Sequence, residues 1–274
     1  MTNITTENLE KHLKQLCLKS FAENYMKIAE QCILEKKDNI EFLRTLVNLE
    51  VEHRYHKRIE YLLNKSKVPR IKTLQSFNHE RVEGLSWLKV KKLATGEFMD
   101  RYENILVFGN PGTGKTHLAI ALAQEWCMQG RRVHYTTAAQ LLQNLLKAKA
   151  ELKLNAFIKK LDYFAMLIID DISYISCDKE ETDVLFSLLS SRYEMRSIMV
   201  TSNTAFADWD KIFKDKMATA AAIDRLIHHS HILELNAESY RIFTAKKLQA
   251  NQTDTTKQLT KHKTKLIKEE KKKH

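Results

Sequence analysis

The sequence predicts an α/β fold: a parallel sheet covered by helices on both faces, behind a small all-helical domain. Three observations carry that expectation. A glycine-rich loop stands between an apolar run and a stretch of helix formers. Five short apolar runs alternate with helical patterns in the second part of the chain, the order that builds parallel sheets. Residues 7–65 show helical periodicity alone.

In the N-terminal region Leu9, Leu13, Leu16, Phe21, Tyr25 and Ile28 recur at spacings of three to five, the period of a helix face. Asp38-x-x-Glu41 resembles a capping box opening another helix, with Ile40, Leu43, Val47 and Val51 as its apolar face. The end of this region is basic: Arg54, Lys57, Arg58, Lys65, Lys67, Arg70 and Lys72 stand against Glu60. That excess favours a DNA-backbone contact over a merely solvated helix face. Pro69 then breaks the pattern. These signals place a helical domain at residues 1–66, for DNA or partner binding, a linker at 67–78, a second domain at 79–245 and a tail at 246–274.

The second domain is expected to carry strands at 105–108, 132–136, 165–169, 197–202 and 231–235. Helices are expected at 115–129, 138–149, 180–194 and 217–229. The clearest strand runs are continuously apolar, as strands covered on both faces should be.

Three of the six glycines and one of the two prolines fall in Gly109-Asn110-Pro111-Gly112-Thr113-Gly114, followed by Lys115-Thr116. This is G-x-x-x-x-G-K-T, the phosphate-cradling P-loop. Glycine lets successive N–H groups turn into one concavity that fits phosphate oxygens. Lys115 is placed to reach terminal phosphates, and the Thr116 hydroxyl to bind Mg²⁺. The order strand, glycine loop, helix is the order the motif needs.

Met166-Leu167-Ile168-Ile169-Asp170-Asp171 is an apolar strand ending in two carboxylates, the Walker B pattern. Ligands bind beyond the carboxyl ends of strands in open α/β sheets. Asp170 is therefore the expected Mg²⁺ holder, through water, and Asp171 the residue that polarises attacking water. Glu is common at that second position; Asp171 is one methylene shorter. Asn203 follows the run Ser197–Ser202 and is placed to orient the lytic water or touch the γ-phosphate, the sensor 1 position of AAA+ ATPases. Arg225, in Ala222-Ile223-Asp224-Arg225-Leu226, suits a finger acting in trans on a neighbour's nucleotide. Lys147, Lys149, Lys153, Lys159 and Lys160 either line a DNA-facing channel or form a solvated helix surface.

His228-His229-Ser230-His231 has no Cys or carboxylate at ligand spacing, so it is not expected to hold a metal; at a helix-to-strand junction such residues can cap carbonyls. The four cysteines form no C-x-x-C pair. Cys17, Cys32 and Cys127 sit in helical patterns, as small core or half-buried residues of a reducing compartment. Net charge is +11, and the tail from Lys246 holds ten Lys against Asp254, Glu269 and Glu270. Such a tail reads as disordered, either solubilising or attracted to polyanions. No apolar run approaches the roughly 18 residues of a membrane span, so a cytoplasmic protein without membrane partners is expected. A GTPase is disfavoured because no N-K-x-D follows the loop, and a small-molecule kinase because no arginine-bearing lid is visible.

Taken together, the runs at 109–122, 135–142, 167–172, 201–203, 224–229 and 238–241 closely resemble the IstB-type insertion-sequence ATP-binding proteins. These are AAA+ transposition helpers related to DnaC-type helicase loaders. The similarity covers residues 9–245, with Lys72-Thr73-Leu74-x-x-Phe77 included. The resemblance implies an ATPase that binds ATP and Mg²⁺ and oligomerises with copies of itself. It also implies largely non-sequence-specific binding to double-stranded DNA and recruitment or stimulation of a cognate transposase. It places roles on Lys115, Thr116, Asp170, Asp171, Asn203 and Arg225, with His117 beside the nucleotide and Phe77 against the adenine. The polar stretch after Asn236 is too short and lysine-rich for a full AAA+ lid, so a truncated or absent lid is expected, with Arg241 the candidate for sensor 2. A DnaC-like replicative helicase loader is the alternative, and the N-terminal helices decide between the two.

Overall fold

The computed structural model describes residues 2–174, 177–205, 209 and 216–240. The chain divides into two compact units, Met1–Lys65 and Ser66–His274.

The first unit is built from helices α1 (Thr2–Gln15), α2 (Lys19–Leu34) and α3 (Asn39–Ser66), the last running just past the division. Asp38 caps α3 by accepting the Glu41 N–H at 2.8 Å. The reciprocal half of the predicted box is diverted, because the Glu41 carboxylate takes Arg44 at 2.9 Å instead. The face of α3 that turns inward is not the one the spacing suggested. Leu46 is buried with Ile28 and Cys32, and Phe21, Tyr25, Phe42 and Leu49 pack around them. Ile40, Leu43, Val47 and Val51 remain exposed, from 43% to 67%. Both faces of this helix carry apolar side chains, and a one-dimensional pattern cannot rank them. Glu50 joins the inward face because two donors reach it: the Ser20 N–H at 2.9 Å and Arg54 at 2.7 Å. Such partners offset the cost of burying a carboxylate. Cys17, expected in a helix, is instead exposed at the α1–α2 turn with φ 57°.

The second unit contains α4 (Trp87–Ala94), β1 (Asn104–Gly109), α5 (Lys115–Met128), β2 (Val133–Thr137), α6 (Ala138–Ala150), α7 (Leu154–Leu161), β3 (Met166–Asp170), α8 (Lys179–Arg192), β4 (Ser197–Ser202), α9 (Lys216–His228) and β5 (Ser230–Leu235). All strand pairs are parallel, in the order β2-β3-β4-β1-β5. The expected α/β architecture is present, each strand within a residue of its predicted place. From β1 the chain crosses to the far edge, returns through β3 and β4, and passes β1 to reach β5. This path inserts β4 between the glycine-loop strand and the acidic strand.

The three central strands are almost wholly buried, which explains their unbroken apolar runs. Leu118 to Ala123 of α5 are all buried, so this helix shows no polar stripe over that span. Its outer side is covered by segments the sequence left as a linker or did not anticipate. Trp126 Nε1 donates to the Leu93 carbonyl of α4 at 2.8 Å, and Gln124 donates to the Pro69 carbonyl at 2.7 Å. Residues 67–78 thus belong with the second unit, held onto α5. The unforeseen α7 buries Ile158 and Leu161 and half-buries Leu154 and Phe157, a helical stripe hidden among lysines. A full capping box starts α8, between Asp178 and Glu181. Arg192 at its end is fully buried and donates to the carbonyls of Leu161, Phe164 and Ser197. Burial lowers its pKa to about 10.

Among the described residues, no helix is long and apolar enough to cross a membrane. Arg241 and the tail from 246 lie outside the described residues.

Candidate nucleotide-binding site

The glycine loop leaves the carboxyl end of β1 and folds back into the first turn of α5. Gly112 has φ 84°, and a Cβ there would collide with Ser239. Gly114 has φ 104° and caps α5; a Cβ there would stand 3.0 Å from the Phe77 ring. Only glycine fits both positions. The Tyr240 N–H closes the loop from above by donating to the Gly112 carbonyl at 2.9 Å. Lys115 is buried, and its ammonium donates to the carbonyls of Gly109 (2.7 Å) and Asn110 (2.9 Å). The loop therefore holds a cation at the N-terminal end of a 14-residue helix, a place that favours anions.

The acidic side of the site is built by the strand order. Asp170 ends β3 and is 2% exposed. Its Oδ1 accepts from the Thr116 hydroxyl on α5 (3.2 Å) and the Thr201 hydroxyl on β4 (2.6 Å). Its Oδ2 accepts from the Tyr135 hydroxyl on β2 (2.7 Å). Burial, first, and the neighbouring Asp170 charge push the Tyr135 pKa up, so it stays a neutral donor. Asp171 follows in the left-handed region (φ 60°), and its N–H donates to Thr201 at 2.8 Å. Beyond β4, the Asn203 N–H donates to Ser173 at 2.9 Å.

The loop, Thr116, Asp171 and Asn203 face a cavity of about 510 Å³. Pro111 to His117 line one side, Asp171 and Asn203 another, and Phe77, Asn78, Arg81 and Val82 a third. Glu238 and Tyr240 complete the rim, brought there by the bridge between Glu83 and Asn236. Phe77 is buried between Trp87, stacked at 6.2 Å, and His117, edge-on at 5.4 Å. His117 also faces the turn before Phe77: Nε2 lies 3.0 Å from the Thr73 carbonyl and 3.2 Å from Ser76 Oγ. A carbonyl only accepts, so that nitrogen carries the proton. Burial lowers the His117 pKa, with Lys72 adding to the effect against the Thr73 bond.

Of the residues expected at the nucleotide, Gly109 and Asn110 sit behind the wall as carbonyl partners of Lys115. Asp170 lies beneath it, held to Thr116. Arg225 is exposed on α9, does not line this cavity, and donates to Ser190 Oγ. His228 and His231 meet side chains rather than carbonyls: His228 Nδ1 meets the Tyr193 hydroxyl at 3.0 Å, and His231 meets Glu103 at 2.8 Å. Tyr135 and Thr201 were not assigned roles from sequence. The signal available was their position at the carboxyl ends of strands, beside the acidic one.

The residues fit a nucleoside triphosphate and a hard divalent cation. Gly112 and Gly114 let the loop take positive φ while packed against Ser239 and Phe77, and the buried Lys115 ammonium stands at the helix N-terminus, where anions are favoured. The hydroxyl-and-carboxylate oxygen set of Thr116 and Asp170 suits Mg²⁺.

The sheet order, the glycine loop after β1 and the two carboxylates at the end of β3 define an AAA+ P-loop nucleotide-binding fold. The model of the IstB-like ATP binding protein family matches residues 11–250. The chain belongs to that family. It is 42% identical over 230 residues to an insertion sequence ATP-binding protein of Sinorhizobium fredii, covering 84% of this chain and 77% of the other. It is 36% identical over 248 residues to the insertion sequence IS21 ATP-binding protein of Pseudomonas aeruginosa, covering 90% and 94%. Among solved structures, AMPPCP-bound DnaA from Aquifex aeolicus has a TM-score of 0.52 at 21% identity, covering 68% of this chain and 56% of that one. DnaI has a TM-score of 0.50 at 19% identity, covering 63% and 94%. At these identities the structural likeness is one of fold.

Proposed function

We propose that this chain is an ATP-dependent, DNA-binding transposition helper of the cytoplasm. It binds ATP with Mg²⁺, hydrolyses it, and assembles with copies of itself on double-stranded target DNA with little regard to sequence. There it recruits or stimulates a cognate transposase. The observation that carries the reading is a single cavity bounded by the glycine loop, Asp171 and Asn203, in a chain of an insertion-sequence family.

The residues divide the work by chemistry. The loop N–H groups and Lys115 bind phosphate oxygens. Thr116 and Asp170 hold Mg²⁺, which supplies neutralisation of phosphate charge when bound. Asp171 and Asn203 orient and polarise water beside the terminal phosphate, and Phe77 packs against the base. Arg225, exposed and not among the residues lining its own cavity, serves the site of a neighbouring copy. Residues 1–66 and the basic segments carry contacts to DNA and to the transposase.

Calorimetry with ATP and Mg²⁺ tests the first half: wild type should bind and Lys115→Ala should not. Equal affinity in the two proteins would refute the phosphate assignment. Duplex binding tests the second half. Affinity should fall steeply with salt, through counterion release, and vary little between unrelated sequences. A strong preference for one sequence would count against the helper reading.

A further inference from the structure

A second candidate site lies where α8 and α9 both end. Glu194, His228 and His229 each bring one donor atom within 4.8 Å of the others, and all three are exposed. None lines the nucleotide cavity. The histidine run lacks a carboxylate nearby in sequence; the fold supplies one from the turn after α8. His229 Nε2 stands 3.8 Å from Glu194 Oε1, and the two imidazole rings lie 4.0 Å apart, tilted by 56°.

Two further features point to a cation. Both helices present their carboxyl ends here, the negative pole of the helix dipole. The Tyr193 hydroxyl engages His228 Nδ1, which leaves Nε2 of that ring for a ligand, the outer-shell pattern that orients metal-binding histidines. His231, the remaining histidine of the run, is taken by Glu103 at 2.8 Å, so the cluster is selective within its own motif.

We infer that Glu194, His228 and His229 form a binding site for a borderline divalent transition-metal ion of the Zn²⁺ class. Two imidazoles and one carboxylate are the donor set such an ion takes, with solvent completing the coordination. The ion would fasten the end of α8 to the end of α9. Arg225 lies one turn before the two histidines, so the metal would restrict the helix that carries this exposed arginine.

The test uses the full chain, stripped with chelator and free of nucleotide and Mg²⁺, so its outcome is separate from the ATP reading. Zn²⁺ is titrated by calorimetry, and Co²⁺ is titrated by visible absorption. Wild type should show a saturable equivalent with a ligand-field spectrum and a Zn²⁺-dependent rise in melting temperature. His228→Ala, His229→Ala and Glu194→Gln should each remove that equivalent, Tyr193→Phe should weaken it about tenfold, and His231→Ala should leave it unchanged. No saturable binding by wild type, retention of the equivalent by all three ligand variants, or equal loss in His231→Ala would overturn the site.

Discussion

Thr201→Val offers a sharp test of how the acidic side of the nucleotide site is held. The Thr201 side chain is fully buried. It donates to Asp170 at 2.6 Å and accepts the Asp171 N–H at 2.8 Å. Valine keeps the shape and removes both bonds, so the cost is polar, with little cavity created. A hydrogen bond to a charged acceptor contributes about 1.5–3 kcal/mol, and losing the acceptor of the part-buried Asp171 N–H adds less, because that residue lines the cavity and water can reach it. The expected loss is about 3 kcal/mol. Tyr135→Phe removes one bond to the same carboxylate, from a half-buried hydroxyl that water can replace, so about 1.5 kcal/mol is expected. The two losses should not add, because both act on Asp170. Urea unfolding followed by tryptophan fluorescence reports on the right part of the chain: Trp87, Trp126 and Trp209 all lie in the second unit. The slope against urea should stay unchanged while the midpoint falls. A loss below about 0.5 kcal/mol for Thr201→Val would mean that Asp170 does not depend on these hydroxyls, and the account of the site would fail.

Gly112→Ala should cost about 1–3 kcal/mol from its positive φ, and more from the collision with Ser239. It should also lower ATP affinity at least tenfold in calorimetry; an unchanged affinity would place the phosphates elsewhere. Arg225→Ala should leave ATP binding intact and remove hydrolysis. Mixing it with Asp171→Asn protein should restore part of the phosphate release, and no recovery would argue against action in trans. Glu103 is lowered from 4.5 to about 2, first by Arg101 and then by His231. A depressed acid stabilises the fold above its unfolded value, so this contribution should be complete above pH 4.5 and fade as pH falls toward 2. Glu103→Gln should flatten that part of the acid limb in a pH series of thermal melts.

Local chemistry made much of this molecule readable from its residues. A run such as Leu167–Ile169 must be shielded on both faces, so strand positions and a covered sheet were legible. Gly112, Gly114 and Lys115 stand in one continuous segment, so the loop's conformation and its place at a helix N-terminus were legible too. Asp170 and Asn203 were legible because each ends such a run. What stayed hidden depends on which segments meet. Both sides of α3 carry apolar residues, and only packing showed that Leu46 turns inward while Val47 does not. Residues 67–78 looked like a connector because their partners, Gln124 and His117, lie far along the chain. Tyr135 and Thr201 become supports of Asp170 only when β2 and β4 are laid on either side of β3. Glu194 reaches His228 and His229 only because α8 and α9 end together. Residue order along the chain thus determined the elements and the phosphate loop, since these arise from interactions among near neighbours. Tertiary structure alone decided which carboxylates are held, by which hydroxyls, and which histidines lie beside a carboxylate, since hydrogen bonds and side-chain clusters close across strands and helix ends.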